Sequence, residues 1–193
     1  MPTFRESMAA GGRIIGQPRN DPIEIVAWDP AWPRLFEGMR ARLAAALGDK
    51  ALRIEHVGST SMPGIPAKPI VDIQISVADV DDTDAYREQI EAQGFELRFI
   101  EAGHRYFRPP PPLPRLYQIH VCASGSDWER VHLLFRDYLR AHPDVAAEYG
   151  RMKMRLANKH RNERIEYNDE KGPFIDAVVK VAEEWANQTG WTP

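Results

Sequence analysis

Residues 54–77, which read IEHVGSTSMPGIPAKPIVDIQISV, decide the fold. Residues 53–57, which read RIEHV, predict a strand that leads directly into Gly58, where the chain turns sharply. Apolar and polar side chains then alternate strictly, which predicts a second strand over residues 70–77. Its apolar face is formed by Val71, Ile73, Ile75 and Val77, and its polar face by Asp72, Gln74 and Ser76. One face of this strand is therefore core, and the other is polar.

The patterns on either side of this stretch predict an α+β fold. In chain order they are a strand over residues 23–27, a helix from Asp29-Pro30 to Gly48, a helix over residues 83–93, strands over residues 95–100, 105–108 and 116–122, and helices after Ser126, Pro143 and Gly172-Pro173. The first helix has an apolar stripe made by Trp32, Leu35, Phe36, Met39, Leu43 and Leu47. Together these elements predict one mixed sheet of about five strands covered by helices, with a helical C-terminal third.

Length and composition indicate one globular domain. The chain has 193 residues, of which 43% are hydrophobic and 27% charged, as in ordinary globular proteins. We assign residues 21–190 to the domain. Residues 1 to about 20 have little periodic pattern and predict an N-terminal extension, either a loosely ordered tail or an addition to the sheet edge.

Charge and cysteine content restrict the partners and the compartment. A formal net charge of −3 makes nucleic acid an unexpected partner, although a local basic patch is compatible with it. Cys122 is the single cysteine, which excludes an intramolecular disulfide and a thiolate zinc cluster. No apolar run approaches the roughly 20 residues that span a bilayer. We therefore expect a soluble cytoplasmic protein without a membrane partner, and the sequence does not indicate its oligomeric state.

A run of prolines interrupts the predicted sheet. Residues 109–114 read PPPPLP, and proline cannot donate a hydrogen bond to a strand ladder. The run predicts a loop that connects two antiparallel strands. The alternative is a docking motif for a polyproline-binding domain, because Pro111 and Pro114 have PxxP spacing.

The turn at Gly58 could bind phosphate. Ser59 and Thr60 add hydroxyl groups beside exposed backbone N–H groups, and a concave set of donors suits phosphate oxygens. The turn is not a Walker P-loop, because the Gly-Lys-Ser/Thr sequence is absent. Asp72 follows on the polar face of the next strand, where a carboxylate needs a cation, either bound magnesium or a side chain such as Lys68. Ordinary turn chemistry and an Asp72 ion pair remain alternatives.

The sequence EHVGSTSMPGIPAKPIVDI, residues 55–73, resembles the GrpB family. Further matching segments, in the same order, are Trp32-Pro33 with Leu35-Phe36, Ile119-His120-Val121, Phe135-Arg136-Asp137-Tyr138-Leu139-Arg140, Tyr149 with Lys153, and Tyr167 with Lys171. The resemblance covers residues 23–185. It implies the nucleotidyltransferase fold of DNA polymerase beta and the aminoglycoside nucleotidyltransferases. Some GrpB-like domains are fused to dephospho-coenzyme A kinase.

The resemblance also implies a nucleoside triphosphate or phosphorylated metabolite as ligand, with Mg²⁺ as cofactor. The residues expected to bind phosphate are Gly58, Ser59, Thr60, Lys68, Lys153 and Lys171. Asp72 takes the first magnesium-ligand position, Gln74 the second, and His120 the position on a later strand. Asp72 and His120 are the catalytic candidates. Because Gln74 and His120 are neutral, nucleotidyl transfer and non-catalytic binding both remain open.

Other polar residues have two interpretations each. Arg136 and Arg140 either serve the same pocket or pair with nearby acids. Most basic residues between positions 151 and 164 fit a solvated helix face. His56, His104 and His120 could form a transition-metal site with Asp72, or they could be hydrogen-bonded polar residues.

Overall fold

The computed structural model describes residues 3–16 and 21–193. Its strands are β1 (Arg13–Ile14), β2 (Arg53–Val57), β3 (Val71–Val77), β4 (Glu96–Glu101), β5 (His104–Arg108) and β6 (Tyr117–Ala123). Its α-helices are α1 (Phe4–Ala9), α2 (Ala31–Leu47), α3 (Arg87–Glu91), α4 (Asp127–Ala141), α5 (Pro143–Lys159) and α6 (Arg164–Thr189). The α+β class, the mixed sheet and the helical C-terminal third are thereby confirmed.

The six strands form one sheet in the order β1-β4-β5-β6-β3-β2. Strands β3 and β6 are parallel, whereas the other neighbouring strands are antiparallel. The register places Asp72 beside Gln118 and Gln74 beside His120. Because paired residues point to the same face of a sheet, these four polar side chains share one face.

The opposite face of the sheet is apolar and is covered by α2 and α3. The alternating residues of β3, including Ile73 and Ile75, are fully buried there against Phe36 and Leu43 of α2. Helix α2 begins where the Asp29 carboxylate accepts a hydrogen bond from the backbone N–H of Ala31 at 2.8 Å, as expected for a helix start. The apolar stripe predicted for α2 is confirmed except at its edge, where Leu35 is 38% exposed.

A second apolar core lies among the C-terminal helices. Helices α4, α5 and α6 pack together around Leu134, Tyr149 and Tyr167, and Met62 and Ile65 from the segment after β2 join them. Helix α4 also contacts β2 and β6. The polar face of the sheet therefore lies next to the helical third of the chain.

Three elements differ from the sequence prediction. Residues 23–27 form no strand; only Val26 bridges to Ala67. The helix predicted over residues 83–93 is divided into a single turn, Thr83–Ala85, and α3. The last helix begins at Arg164 rather than after Pro173, so the proline lies inside it. Proline removes only one backbone hydrogen bond, and packing of α6 against α4 and α5 stabilises the helix on both sides.

The loop at residues 109–114 connects β5 to its antiparallel neighbour β6, as predicted. Near the N-terminus, α1 begins with a capping box between Thr3 and Glu6, and β1 pairs with the edge strand β4. The remaining residues of the predicted extension, 1–2 and 17–20, lie outside the described residues. Within the described part of the chain, no helix combines the length and apolar character needed to cross a membrane.

Candidate functional site

The turn after β2 requires a glycine. Gly58 has φ +66°, and a Cβ atom at this position would lie 2.3 Å from Oδ2 of Asp72. Both the positive φ and the close approach exclude a side chain. The 3₁₀ turn Ser59–Ser61 follows directly. The chain thus brings this turn against the carboxylate of the neighbouring strand, as expected for a joint binding site.

The two hydroxyl groups of the turn have different surroundings. Thr60 is buried, and its Oγ1 donates to the carbonyl of Ile70 at 3.2 Å and lies 2.9 Å from Nε2 of His56. Ser59 is half-buried beside Tyr149. Burial raises the pKa of Tyr149 to about 12, and the hydrogen bond with Ser59 acts in the opposite direction. The Thr60 side chain therefore holds the turn together, and Ser59 is the hydroxyl nearer the pocket.

Helix α4 fixes this turn with two arginines. Arg140 donates from Nη2 to the carbonyl of Ser61 at 2.8 Å. Arg136 donates from Nη1 to the carbonyl of His56 at 3.1 Å and to the carboxylate of Glu55 at 2.6 Å. Both arginines thus pair with acids or backbone carbonyls. They act as supports of the turn.

Three lysines meet beside the turn over two tyrosine rings. Lys153 Nζ lies 4.5 Å from the centroid of the Tyr149 ring, and Lys68 and Lys171 lie 4.2 and 5.2 Å from that of Tyr167. Lys153 is only 2% exposed, and its Nζ has no hydrogen-bond partner among the described residues. A buried ammonium normally has a partner. Within the described residues, the charged form of Lys153 is favoured by the ring and by the charge of Asp72.

The surroundings lower the pKa of all three lysines. Burial and, to a smaller extent, the charge of Lys171 lower the pKa of Lys68 and of Lys153 to about 6. Burial also lowers the pKa of Lys171. The negative charge of Asp72 raises each of these pKa values. The pocket therefore disfavours the positive charge of its own lysines and would gain from an added anion.

Asp72 stands at the border between the lysines and the polar face of the sheet. Its side chain is 26% exposed, and Oδ1 lies 3.6 Å from Nε2 of His120. Gln74, two residues further on β3, is fully buried, and neither of its amide atoms has a partner within residues 3–16 and 21–193. When its nitrogen faces Asp72, the Gln118 amide donates to Oδ1 at 3.2 Å.

The three histidines do not come together. His104 and His120 lie on the polar face with a 3.0 Å contact between Nε2 and Nδ1. His56 is paired with Ile73 on the apolar face, where it stacks on Phe36 at 4.8 Å. Within the described residues, no group of three histidine, cysteine, aspartate or glutamate side chains is arranged to hold a metal ion. The three-histidine metal site is therefore wrong.

Sequence reasoning did not identify the tyrosines as part of the site. Tyr149 and Lys153, like Tyr167 and Lys171, are separated by four residues on one helix. Side chains at this spacing are neighbours on the helix surface, so each lysine reaches the ring of the preceding turn. The matching segments contain both pairs, and their spacing was the available signal. The position of Gln118 beside Asp72 depends on strand register, which had no such signal.

Most of the chain is similar in sequence to known proteins. The family model described as GrpB protein matches residues 22–181. A UPF0157 protein of Halalkalibacterium halodurans is 38% identical over 169 residues, which cover 86% of this chain and 85% of that protein. A dephospho-CoA kinase of Mycolicibacterium paratuberculosis is 30% identical over 198 residues, and the match covers 89% of this chain but 49% of the kinase.

A solved structure of a GrpB protein is similar over most of this chain. The crystal structure of the conserved protein GrpB from Enterococcus faecalis superposes with a TM-score of 0.74 at 32% identity, over 84% of this chain and 99% of that chain. The Cid1 poly(U) polymerase is similar at a lower level, with a TM-score of 0.46 at 15% identity over 69% of this chain and 41% of that chain. The family match and the full-length relatives together establish that this chain belongs to the GrpB family.

Proposed function

We propose that the pocket between the Gly58 turn, Asp72 and the three lysines binds the polyphosphate group of a nucleotide or another phosphorylated metabolite. The observation that carries this proposal is the burial of Lys153. This side chain is only 2% exposed, and its Nζ has no hydrogen-bond partner among the described residues. When a phosphate oxygen arrives, the Lys153 amine can take up a proton and form a charge-assisted hydrogen bond with it. Lys68 and Lys171 extend the same cationic surface.

The turn supplies the second half of the proposed phosphate site. Gly58 and Ser59 begin a short 3₁₀ turn, and the backbone N–H groups of such turns suit anions. The supports from Arg136 and Arg140 keep this backbone in place without using their charges on the ligand. Preorganised donors of this kind bind a phosphate without having to reorder first.

The donor atoms near Asp72 fit one magnesium ion that also binds ligand phosphates. Mg²⁺ in nucleotide sites is commonly held by one or two carboxylates together with phosphate oxygens and water. Asp72 would provide the carboxylate, and Gln74 would provide a buried amide oxygen that has no partner in the described part of the chain. The ion would supply neutralisation of phosphate charge.

The limited charge of this donor set favours binding over fast turnover. Two-metal transfer depends on several anionic ligands, whereas the group here contains one carboxylate, Asp72, together with the amide of Gln74 and the imidazole of His120. The substitution Asp72→Asn separates the alternatives. A nucleotidyltransferase would release pyrophosphate in the wild type and lose this turnover in Asp72→Asn, whereas a binding protein would release no pyrophosphate in either form.

Isothermal titration calorimetry tests the proposal. The four ribonucleoside triphosphates, and dephospho-coenzyme A because of the related kinase, are titrated with and without Mg²⁺ at pH 8. We expect binding with uptake of protons, measured from the dependence of the heat on buffer ionisation enthalpy, since phosphate raises the pKa of Lys68 and Lys153 above about 6.

Two variants test whether Lys153 takes part in phosphate binding. Lys153→Met should weaken phosphate binding at least tenfold and reduce proton uptake, because it removes the buried charge. Lys180→Met, at an exposed position of α6, should change neither. If no phosphorylated ligand binds the wild-type protein, or if both variants bind as the wild type does, the proposal is wrong.

A further inference from the structure

Four polar side chains cross the sheet in a continuous line, one from each of four adjacent strands. Glu101 Oε1 on β4 lies 2.7 Å from Nδ1 of His104 on β5, and Nε2 of His104 lies 3.0 Å from Nδ1 of His120 on β6. Nε2 of His120 then faces Oδ1 of Asp72 on β3 at 3.6 Å. The line ends at the carboxylate that the proposed function assigns to magnesium.

Glu101, at the start of this line, determines which atom donates and which accepts in each hydrogen bond that follows. Although burial opposes ionisation, the hydrogen bond from His104 lowers the pKa of Glu101, and an ionised carboxylate can only accept. Nδ1 of His104 is therefore a donor. His104 is only 6% exposed, and burial disfavours a charged imidazole, so its ring is neutral and Nε2 accepts. Nδ1 of His120 must then donate, and in this Nδ1–H tautomer Nε2 carries a lone pair.

Packing holds both rings in this arrangement. Trp128 of α4 stacks on His104 with a centroid distance of 4.5 Å and an interplanar angle of 12°. The same indole lies 5.6 Å from the His120 ring. Rotation of either imidazole would break a hydrogen bond and the stacking together. Because Glu101 can only accept, it fixes which ring nitrogen donates in His104, and His104 in turn fixes which nitrogen donates in His120.

Two acceptors consequently face each other at the end of the line. The lone pair of His120 Nε2 and the Asp72 carboxylate oxygen are 3.6 Å apart. The Gln118 amide, when its nitrogen faces Asp72, uses one lone pair of that oxygen, and a carboxylate oxygen has a second. Such an electron-rich gap attracts a cation.

We infer that Glu101 and His104 are positioning residues, which hold His120 in its Nδ1–H form so that His120 does not donate to Asp72 and leaves the carboxylate open to a divalent cation. This inference rests on the proposed function only in taking that cation as the Mg²⁺ of the phosphate ligand. The opposite polarity would place an N–H of His120 against Asp72 and occupy the oxygen that the ion needs.

Long-range ¹H–¹⁵N NMR of the histidine rings tests the polarity on the full chain without ligand. His104→Asn and His120→Asn assign the signals. We expect both rings in the Nδ1–H form in the wild type and in Glu101→Gln, whose amide oxygen still accepts. Glu101→Ala lacks this acceptor, so both rings should shift to Nε2–H, the form that free imidazole prefers. Wild-type His120 as Nε2–H or imidazolium, or an unchanged His120 in Glu101→Ala, would overturn the inference.

Calorimetry with ATP adds a readout of metal binding. We expect the gain in ATP affinity caused by Mg²⁺ to fall about tenfold in Glu101→Ala, as for other residues that orient a metal site, and to be retained in Glu101→Gln. Equal losses in both variants would show that charge rather than polarity matters, and would refute the inference. If ATP does not bind the wild type at all, the proposed function fails, whereas the NMR result still decides the polarity.

Discussion

At the scale of single residues, Gly58 ties the backbone of the turn to the position of Asp72. Its φ of +66° lies in the region that L side chains avoid, and the space where a Cβ would be contains the Asp72 carboxylate. Gly58 thus sets both the direction of the chain and its distance from the candidate metal ligand. Any larger residue must move either the backbone of the turn or the Asp72 carboxylate.

Replacement of Gly58 by alanine should therefore destabilise the protein. We expect Gly58→Ala to lower the free energy of unfolding by about 3 kcal/mol, the sum of the left-handed backbone conformation and of an overpacked contact, as measured by urea denaturation. Gly38→Ala is the matched control, because Gly38 lies inside α2 with no atom within 4 Å of an added Cβ, and it should gain up to about 1 kcal/mol. Equal effects of both substitutions would contradict the steric argument.

Lys153 should make the stability of the ligand-free protein depend on pH. Its pKa is about 6 in the folded protein and 10.5 as the ordinary value. Between these values the unfolded chain binds more protons, so the free energy of unfolding rises with pH, by at most about 1.4 kcal/mol per pH unit for one group. Lys153→Met should reduce this slope between pH 6 and pH 9, whereas Lys180→Met should leave it unchanged. A slope that survives Lys153→Met intact would assign the effect to other groups.

At the scale of elements, α4 connects the turn to the helical third of the chain. The carbonyl of Ser61 accepts from Nε and Nη2 of Arg140 at 3.2 and 2.8 Å. We expect Arg140→Met to lower the free energy of unfolding by about 2 kcal/mol, because a carbonyl beside buried side chains loses its charged donor, and to weaken phosphate binding. Urea denaturation and calorimetry measure the two effects.

Two comparisons control the Arg140 prediction. Arg140→Lys keeps a cationic donor, although without the two-pronged geometry of the guanidinium, and should recover part of the loss. Arg151→Met removes an exposed arginine of α5 and should be neutral within about 0.5 kcal/mol. If Arg140→Met is as stable as Arg151→Met, the turn does not depend on α4.

The elements that were predictable from sequence are those with a strong local period. Strand β3 and helix α2 have strict alternation or a continuous apolar stripe, and the structure confirms both. Residues 23–27 alternate as well, yet they find only a single bridge partner, Ala67, because strand pairing is decided by the rest of the fold. Pro173 is a strong local signal for a helix boundary, but packing of α6 outweighs it.

In the candidate site, too, some features were predictable from the sequence and others depend on the fold. Gly58, Asp72 and the lysines were identifiable from their residue types and from family resemblance. The polarity of the line from Glu101 to His120 was not, because it depends on four strands in the order β4-β5-β6-β3. The residue types can be read from the sequence, but the pairing of strands that makes them neighbours cannot.

At the scale of the whole molecule, the candidate site lies between two apolar cores. One core joins α2 and α3 to the apolar face of the sheet, and the other lies among α4, α5 and α6. Asp72 comes from β3 of the sheet and Gly58 from the turn after β2, whereas Lys153 and Lys171 come from α5 and α6. A polyphosphate bound between them would contact both halves. Ligand binding should therefore stabilise the whole chain rather than one part.

This arrangement predicts a cooperative thermal response to ligand. At a free MgATP concentration of about 100 Kd, the wild type should gain about 2.7 kcal/mol, which raises Tm by about 5–10 °C for a chain of this size, measured by differential scanning calorimetry as one transition. Lys153→Met, which binds at least tenfold more weakly, should lose about half of this rise or more at the same concentration, and Lys180→Met should keep it. A rise of equal size in Lys153→Met would mean that the nucleotide binds outside the lysine pocket, since the buried ammonium could then have no part in holding the two halves together.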